Sequence, residues 1–273
     1  MYRIAVIQFP GSNREYELVR ALNSVGLQGD IFRWNRDSQE LRNYDGYALP
    51  GGFSYKDRVR AGVVAAKDKL MIVLAEEADK GKPVLGICNG CQILAEAGLV
   101  PQIYDNEISI GLAPNVARQG DEITRTGFIS DFYWITTTAR RGRSPANYLI
   151  EEGEIAIPIA HGEGRFKMSD DVLREMEENG QIIFTYCDEK GNINEEYPIN
   201  PNGSTKAIAG VSNKRGNVIA MMPHPEAANQ LFQVRSDISD EKVGAWGDYD
   251  KMEGRGPARK IFESMKAYLE EMR

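Results

Sequence analysis

The first third of the chain alternates two hydrophobic patterns, short unbroken apolar runs and stretches in which apolar residues recur three or four positions apart. Unbroken runs read as buried strands, and the spaced ones as helices with a single apolar face. Arg3 to Gln8 is the first run, closed by the turn formers of Phe9-Pro10-Gly11-Ser12-Asn13. Leu18, Val19, Leu22 and Val25 repeat at helical spacing, and Gly26 is placed to end that helix. Further strands are expected at 28–34, 44–49 and 83–87, with a turn at Pro50-Gly51-Gly52 and a helix over 62–78 before Gly81. Strands and helices in this alternation imply right-handed crossovers, hence a parallel sheet covered on both faces.

Beyond residue 100 the pattern changes to short β-type runs, at 132–138 and 154–160, with no linker composition to mark a domain boundary. An acidic helix is expected over 169–179, with Val172, Leu173 and Met176 on its apolar side. Strands follow at 181–186 and 218–222, and an amphipathic helix closes the chain over 258–272. The polar, glycine-containing stretch 233–256 reads as a surface excursion.

Composition narrows the class. The 273 residues are 42% hydrophobic with 27 glycines, a globular balance that excludes disorder and collagen-like repeats. Thirty-three basic residues against 40 acidic ones leave a net charge of -7, which argues against nucleic acid as a partner. Arg140, Arg141 and Arg143 form the one dense basic spot, open to reading as a solvated loop or as an anion site. Three cysteines do not make a disulfide framework, so a reducing cytoplasm is expected. The run Ile4 to Ile7 is too short for a signal peptide, and no stretch approaches the roughly 20 apolar residues of a membrane span.

In parallel α/β sheets, ligands bind beyond the carboxyl ends of the strands. Two such ends carry chemistry. Gly86-Ile87-Cys88-Asn89-Gly90 has the form Gly-x-nucleophile-x-Gly between a buried strand and a helix, the context of a nucleophile elbow. Its glycines allow a sharp turn that exposes Cys88 at a helix N-terminus, where partial positive charge favours the thiolate. The Asn89 N–H and those of Gly51-Gly52 at the neighbouring strand end are candidates to stabilise an oxyanion. Cys88 and Cys91 also form a Cys-x-x-Cys at a helix start, so a dithiol redox site stands as the rival reading. No second cysteine pair exists to complete a four-ligand metal site.

A thiol nucleophile calls for a base, and the chain has two histidines. His224 lies in Met222-Pro223-His224-Pro225-Glu226, just after an expected strand. Prolines on both sides predict an extended segment, which would project His224 and Glu226 to one side so that the carboxylate orients the imidazole. His161, in Ala160-His161-Gly162-Glu163-Gly164, also follows an expected strand and is open to a structural or a functional role.

These residues resemble the class I, or triad-type, glutamine amidotransferases, whose signatures are similar to Pro50-Gly51-Gly52, to Gly86 through Gln92 and to His224-Pro225-Glu226. More narrowly, islands along most of the chain are similar to the glutaminase subunits of phosphoribosylformylglycinamidine synthases. They are Phe9-Pro-Gly-Ser-Asn13, Pro50-Gly-Gly-Phe-Ser-Tyr55, Ala160-His-Gly-Glu-Gly164, Asn200-Pro-Asn-Gly-Ser204 and Met221-Met-Pro-His-Pro-Glu226. The resemblance implies one flavodoxin-like α/β domain over 1–273, with a mostly parallel sheet and helices on both faces. It implies Cys88 as nucleophile, His224 as general base and Glu226 as the group orienting it, with Gly51, Gly52, Phe53, Asn89, Gln92 and His161 around the substrate glutamine.

The implied chemistry runs through a γ-glutamyl thioester and releases ammonia and then glutamate. It implies no cofactor in this chain, and ATP and Mg²⁺ on a synthetase subunit that takes the ammonia, completed by a small third subunit. Another class I glutaminase is the nearer alternative. The chain departs from the family pattern at Arg14, where cysteine is common, at Lys56, where glycine is usual, and at Ala227, where arginine usually follows the glutamate. Residues 101–150 fit the family poorly, and 233–256 is an extra segment.

Overall fold

The computed structural model describes residues 1–104, 107–235 and 254–272. Strands β1 (Arg3–Gln8), β2 (Gln28–Arg33), β3 (Gly46–Leu49) and β4 (Val84–Ile87) form in the order expected from the unbroken apolar runs. Helix α1 (Glu15–Ser24) lies between the first two strands and buries Leu18, Ala21 and Leu22. The helix expected over 62–78 is instead two, α2 (Val63–Ala66) and α3 (Lys69–Asp79). Asp68 causes the break, because its side chain accepts from the Leu70 N–H at 3.0 Å and caps a new helix start.

Helix α4 (Asn89–Glu96) follows β4 and is buried on every side. The middle of the chain supplies β5 (Gly111–Ala113), β6 (Val116–Gln119), β7 (Glu122–Thr126), β8 (Ile129–Thr136), β9 (Ile155–His161) and β10 (Arg165–Lys167). Then come α5 (Asp170–Glu178), β11 (Ile182–Cys187), β12 (Ile208–Ser212), β13 (Val218–Met221) and the closing helix α6 (Arg259–Glu271). Ser169 caps α5 by accepting from the Val172 N–H.

Nine strands form one sheet in the order β2-β1-β3-β4-β13-β12-β11-β8-β9. The pairs from β2 to β13 are all parallel, giving the parallel half that the strand-helix alternation implied. The pairs from β13 to β9 are all antiparallel. Four reversals restore the original sense, so β9 runs in the direction of β13 and its carboxyl end emerges at the same edge. The antiparallel half also curls back over that edge. Strands four places apart in a flat sheet lie about 19 Å apart, yet the His224 N–H after β13 donates to the Pro158 carbonyl in β9 at 2.9 Å.

Most of the expected excursion at 233–256 lies outside the described residues. Its described ends are held together, the Leu231 N–H donating to the Gly254 carbonyl and the Gly256 N–H to that of Asn229, both at 3.0 Å. The Arg140–Arg143 spot behaves as structure. Arg143 is half-buried and donates to the carbonyls of Asn179, Asn213 and Lys214, while Arg141 pairs with Glu151. Burial, and then the charge of Arg140, lower the Arg143 pKa.

Candidate active site

Cys88 sits between β4 and α4 with φ 50° and ψ -105°, a left-handed conformation strained for a residue with a Cβ. The flanking glycines make the turn possible. A Cβ on Gly90 would come within 2.1 Å of the Leu49 carbonyl oxygen, and one on Gly86 within 2.7 Å of the Gly90 oxygen. The turn is fixed from below by the Cys88 N–H, which donates to the Met221 carbonyl at 2.8 Å. The elbow read from the sequence is therefore present in full.

The Gly51-Gly52 strand end lies against this elbow. A Cβ on Gly51 would meet His224 Cε1 at 2.8 Å and Cys88 Cβ at 3.6 Å, so only glycine lets the backbone pass between Cys88 and His224. Gly52 has φ 148° and forms a bridge with Ser12. The hydrogen bonds there run from Asn13 N to Gly51 O and from Phe53 N to Gly11 O, so both bypass the Gly52 N–H. The Asn89 N–H is in the first turn of α4, where helices leave donors without intrahelical partners. Phe53 is exposed beside them.

His224 and Glu226 meet as expected, Nδ1 to Oε1 at 2.6 Å, both fully buried. The local reason differs from the one the prolines suggested. Residues Pro225–Ala227 form a 3-10 turn, not an extended segment, and the turn folds the carboxylate back onto the ring. Burial alone would lower the His224 pKa; the charge of Glu226, and after it that of Cys88, outweigh burial and raise it to about 10. Nε2 of His224 is left to the neighbouring Cys88 thiol, with which it can exchange a proton.

Cys88 Sγ lies 3.6 Å from the Ala160 carbonyl, which brings the end of β9 to the elbow. His161 follows it, buried, with neither ring nitrogen partnered among the described residues. Burial first, and then the charge of His224, lower its pKa to about 3, so its imidazole is neutral at working pH. Its ring packs on Gly164, where a Cβ would come within 2.2 Å.

Asn89 and Gln92 tie the surrounding loops to α4. Asn89 Oδ1 accepts from the Ser54 N–H at 3.0 Å, and its Nδ2 donates to Asp57 Oδ1 at 3.2 Å and to Gln92 Oε1 at 2.9 Å. Gln92 Nε2 donates to the Glu163 carbonyl at 2.7 Å. Cys91 takes no part in this surface. It is wholly buried, and burial pushes its thiol well above the ordinary cysteine range, which makes it a poor partner for thiol-disulfide exchange.

Several residues of the site were not singled out from the sequence. Asn115 holds the 161–164 loop by donating to the His161 carbonyl at 2.8 Å and accepting from the Gly164 N–H at 3.0 Å. Asn202 donates to the Gly164 carbonyl at 2.8 Å. The island Asn200-Pro-Asn-Gly-Ser204 was the available signal for Asn202; nothing local marks Asn115. Among the described residues no group of three or more His, Cys, Asp or Glu side chains is arranged to hold a metal ion.

Residues 1–269 match the family model of CobB/CobQ-like glutamine amidotransferase domains. The chain is 48% identical over 273 residues to the phosphoribosylformylglycinamidine synthase subunit PurQ of Methanothrix thermoacetophila, covering 99% of each. It is 43% identical over 233 residues to the subunit of the same name from Pyrococcus furiosus, covering 85% of this chain and 92% of that one. Among solved structures it resembles a chain of PurLQS from Thermotoga maritima, with a TM-score of 0.73 and 30% identity over 98% of this chain and 100% of that chain.

Proposed function

The chain belongs to the CobB/CobQ-like glutamine amidotransferase family, and from that premise we propose that it is the glutamine-hydrolysing subunit of a phosphoribosylformylglycinamidine synthase, working through Cys88, His224 and Glu226. The observation that carries the site is the strained elbow at Cys88 facing a histidine that Glu226 orients at 2.6 Å. Sγ of Cys88 attacks the side-chain amide carbon of glutamine while His224 takes the thiol proton. The N–H groups of Gly52 and Asn89 stabilise the oxyanion. His224 returns the proton to the leaving nitrogen, ammonia departs, and a γ-glutamyl thioester remains. Water, deprotonated by the same histidine, then releases glutamate and restores the thiol. Gly51, Phe53, Gln92 and His161 line the substrate around this centre.

The rest of the reading follows from the relatives. A shared name with the PurQ subunits and the likeness to a chain of the PurLQS assembly support a complex with a synthetase subunit and a small third subunit. In this proposal ATP and Mg²⁺ act on the synthetase, and this chain works without a cofactor. The family match over 1–269 supports one glutamine amidotransferase domain. No helix among the described residues is long and apolar enough to cross a membrane, and the free cysteines suit a cytoplasmic enzyme. A glutamine-mimicking electrophile tests the site directly. Peptide mapping is expected to find the label on Cys88, with glutamine protecting; a label on Cys91 or Cys187 instead overturns the assignment.

A further inference from the structure

We propose that Asn115 is a positioning residue for glutamine hydrolysis, its one side chain fastening the 161–164 loop and so setting where that loop meets the Cys88 elbow and α4. The inference rests on the reading of Cys88 as the nucleophile. Asn115 lies between β5 and β6 and is 1% exposed. Its Nδ2 donates to the His161 carbonyl at 2.8 Å and to the Gly127 carbonyl at 2.9 Å, and its Oδ1 accepts from the Gly164 N–H at 3.0 Å. The Asn115 main-chain N–H donates to the Gly162 carbonyl at 2.9 Å. Because Asn115 precedes β6 and Gly127 follows β7, the same amide also closes the base of that hairpin onto the loop.

Both amide hydrogens and the amide oxygen are in use, so the partners fix the orientation of the group, two carbonyls on one side and an N–H on the other. A carboxylate of the same shape would set an oxygen against two carbonyl oxygens, and alanine would take a donor from both. The loop's own side chains offer little anchorage. Neither ring nitrogen of His161 has a partner among the described residues, and a Cβ on Gly162 would find only Phe128, at 3.8 Å. Beyond Asn115, the loop main chain is met at the Gly164 carbonyl by Asn202 at 2.8 Å and Ser204 at 3.4 Å, and at the Glu163 carbonyl by Gln92.

What this loop touches is the reaction centre. It begins where β9 brings the Ala160 carbonyl within 3.6 Å of Cys88 Sγ, and its Glu163 carbonyl accepts from Gln92 on α4 at 2.7 Å. The elbow itself is fixed independently, by the Cys88 N–H on the Met221 carbonyl and by Gly90 lying against the Leu49 main chain. Loss of the Asn115 amide therefore shifts the wall beside the thiol and leaves the thiol's own setting intact. A misplacement of about 1 Å at a reacting centre can cost about a hundredfold in rate.

The test reads two rates in the assembled enzyme, ammonia release from glutamine and alkylation of Cys88 by iodoacetamide, a small neutral reagent, followed by peptide mapping. Asn115→Asp keeps the acceptor for the Gly164 N–H and loses both donors. At about pH 8 it is expected to lower kcat/KM for glutamine roughly 10- to 100-fold, with alkylation of Cys88 little changed. The new carboxyl, buried against two carbonyls, has its pKa raised, and once protonated it can donate to one of them. Its deficit relative to the unaltered enzyme should therefore shrink as the pH falls to about 6, a range over which His161 on the same loop stays neutral. Asn115→Ala places no charge there and carries the test if the aspartate variant does not fold; it should lose a similar factor and show no such recovery. An unchanged kcat/KM, an equal loss in turnover and in alkylation, or an aspartate deficit that does not shrink overturns the positioning role. Failure of the unaltered enzyme to release ammonia from glutamine would instead overturn the glutaminase reading, and the role with it.

Discussion

The parallel and antiparallel halves of the sheet each end a strand near a buried histidine, and their surroundings shift the two rings in opposite directions. His224, beyond β13, faces Glu226 at 2.6 Å, and its pKa rises to about 10. His161, at the end of β9, has neither ring nitrogen partnered among the described residues, and its pKa falls to about 3. Burial acts the same way on both, against the imidazolium. A facing carboxylate decides the sign. The difference shows a division of labour: the parallel half carries the charged machinery, and the antiparallel half lays a neutral, tightly packed wall beside it.

The largest effect should come from the parallel half. Cys88→Ala removes the thiol and is expected to lower glutamine hydrolysis at least about 10⁴-fold, with thermal unfolding unchanged because alanine keeps the Cβ and the backbone of the elbow. Retained ammonia release would break the assignment. Next is Gly90→Ala, whose Cβ would press on the Leu49 main chain; a loss of about 3 kcal/mol by denaturant unfolding is expected. Gly164→Ala, on the antiparallel side, meets the His161 ring instead and should cost less stability while still slowing turnover. Equal losses in the two variants would erase the contrast between the halves.

A smaller effect belongs to Glu226→Gln, which keeps a hydrogen-bonding group on Nδ1 but removes the charge that raises His224. Activity should fall about a hundredfold, with the His224 titration, followed by NMR, moving toward lower pH. The smallest expected effect separates the histidines by pH. The folded chain resists protonating His161 until about pH 3, whereas the unfolded chain takes that proton near 6.5. Stability from His161 is therefore present above 6.5 and lost as pH falls, by about 2 kcal/mol between 6.5 and 5. His224 works in the opposite sense, its contribution full below 6.5 and lost as pH rises through about 10. His161→Asn should flatten the acid side of the stability profile; an unchanged profile would place the acid sensitivity elsewhere.

The parallel half was legible in the sequence because its signals are local. β1, β3 and β4 are short apolar runs buried along most or all of their length, and the glycines at 86 and 90 sit where the turn needs them. The antiparallel half was less legible. β8 and β9 pair with each other across a long connection, and β11 meets β12 through register shifts, neither of which leaves a local pattern. The same holds within the site. Cys88, His224 and Glu226 could be named from motifs, but the turn joining the last two could not, because prolines permit both extended and turned backbone.

By itself the sequence determined the elbow, the glycines that permit it and the strands that feed it, since each depends on residues close together along the chain. It also marked Cys88, His224 and Glu226 as the candidates for nucleophile, base and orienting acid. Only the tertiary structure decided that the antiparallel strands curl over the carboxyl edge, that Ala160 comes within 3.6 Å of Cys88, and that Asn89 and Gln92 draw two distant loops to one helix start. Those contacts join residues far apart in the chain, and the balance of burial against facing charge that sets each histidine exists only once they have formed.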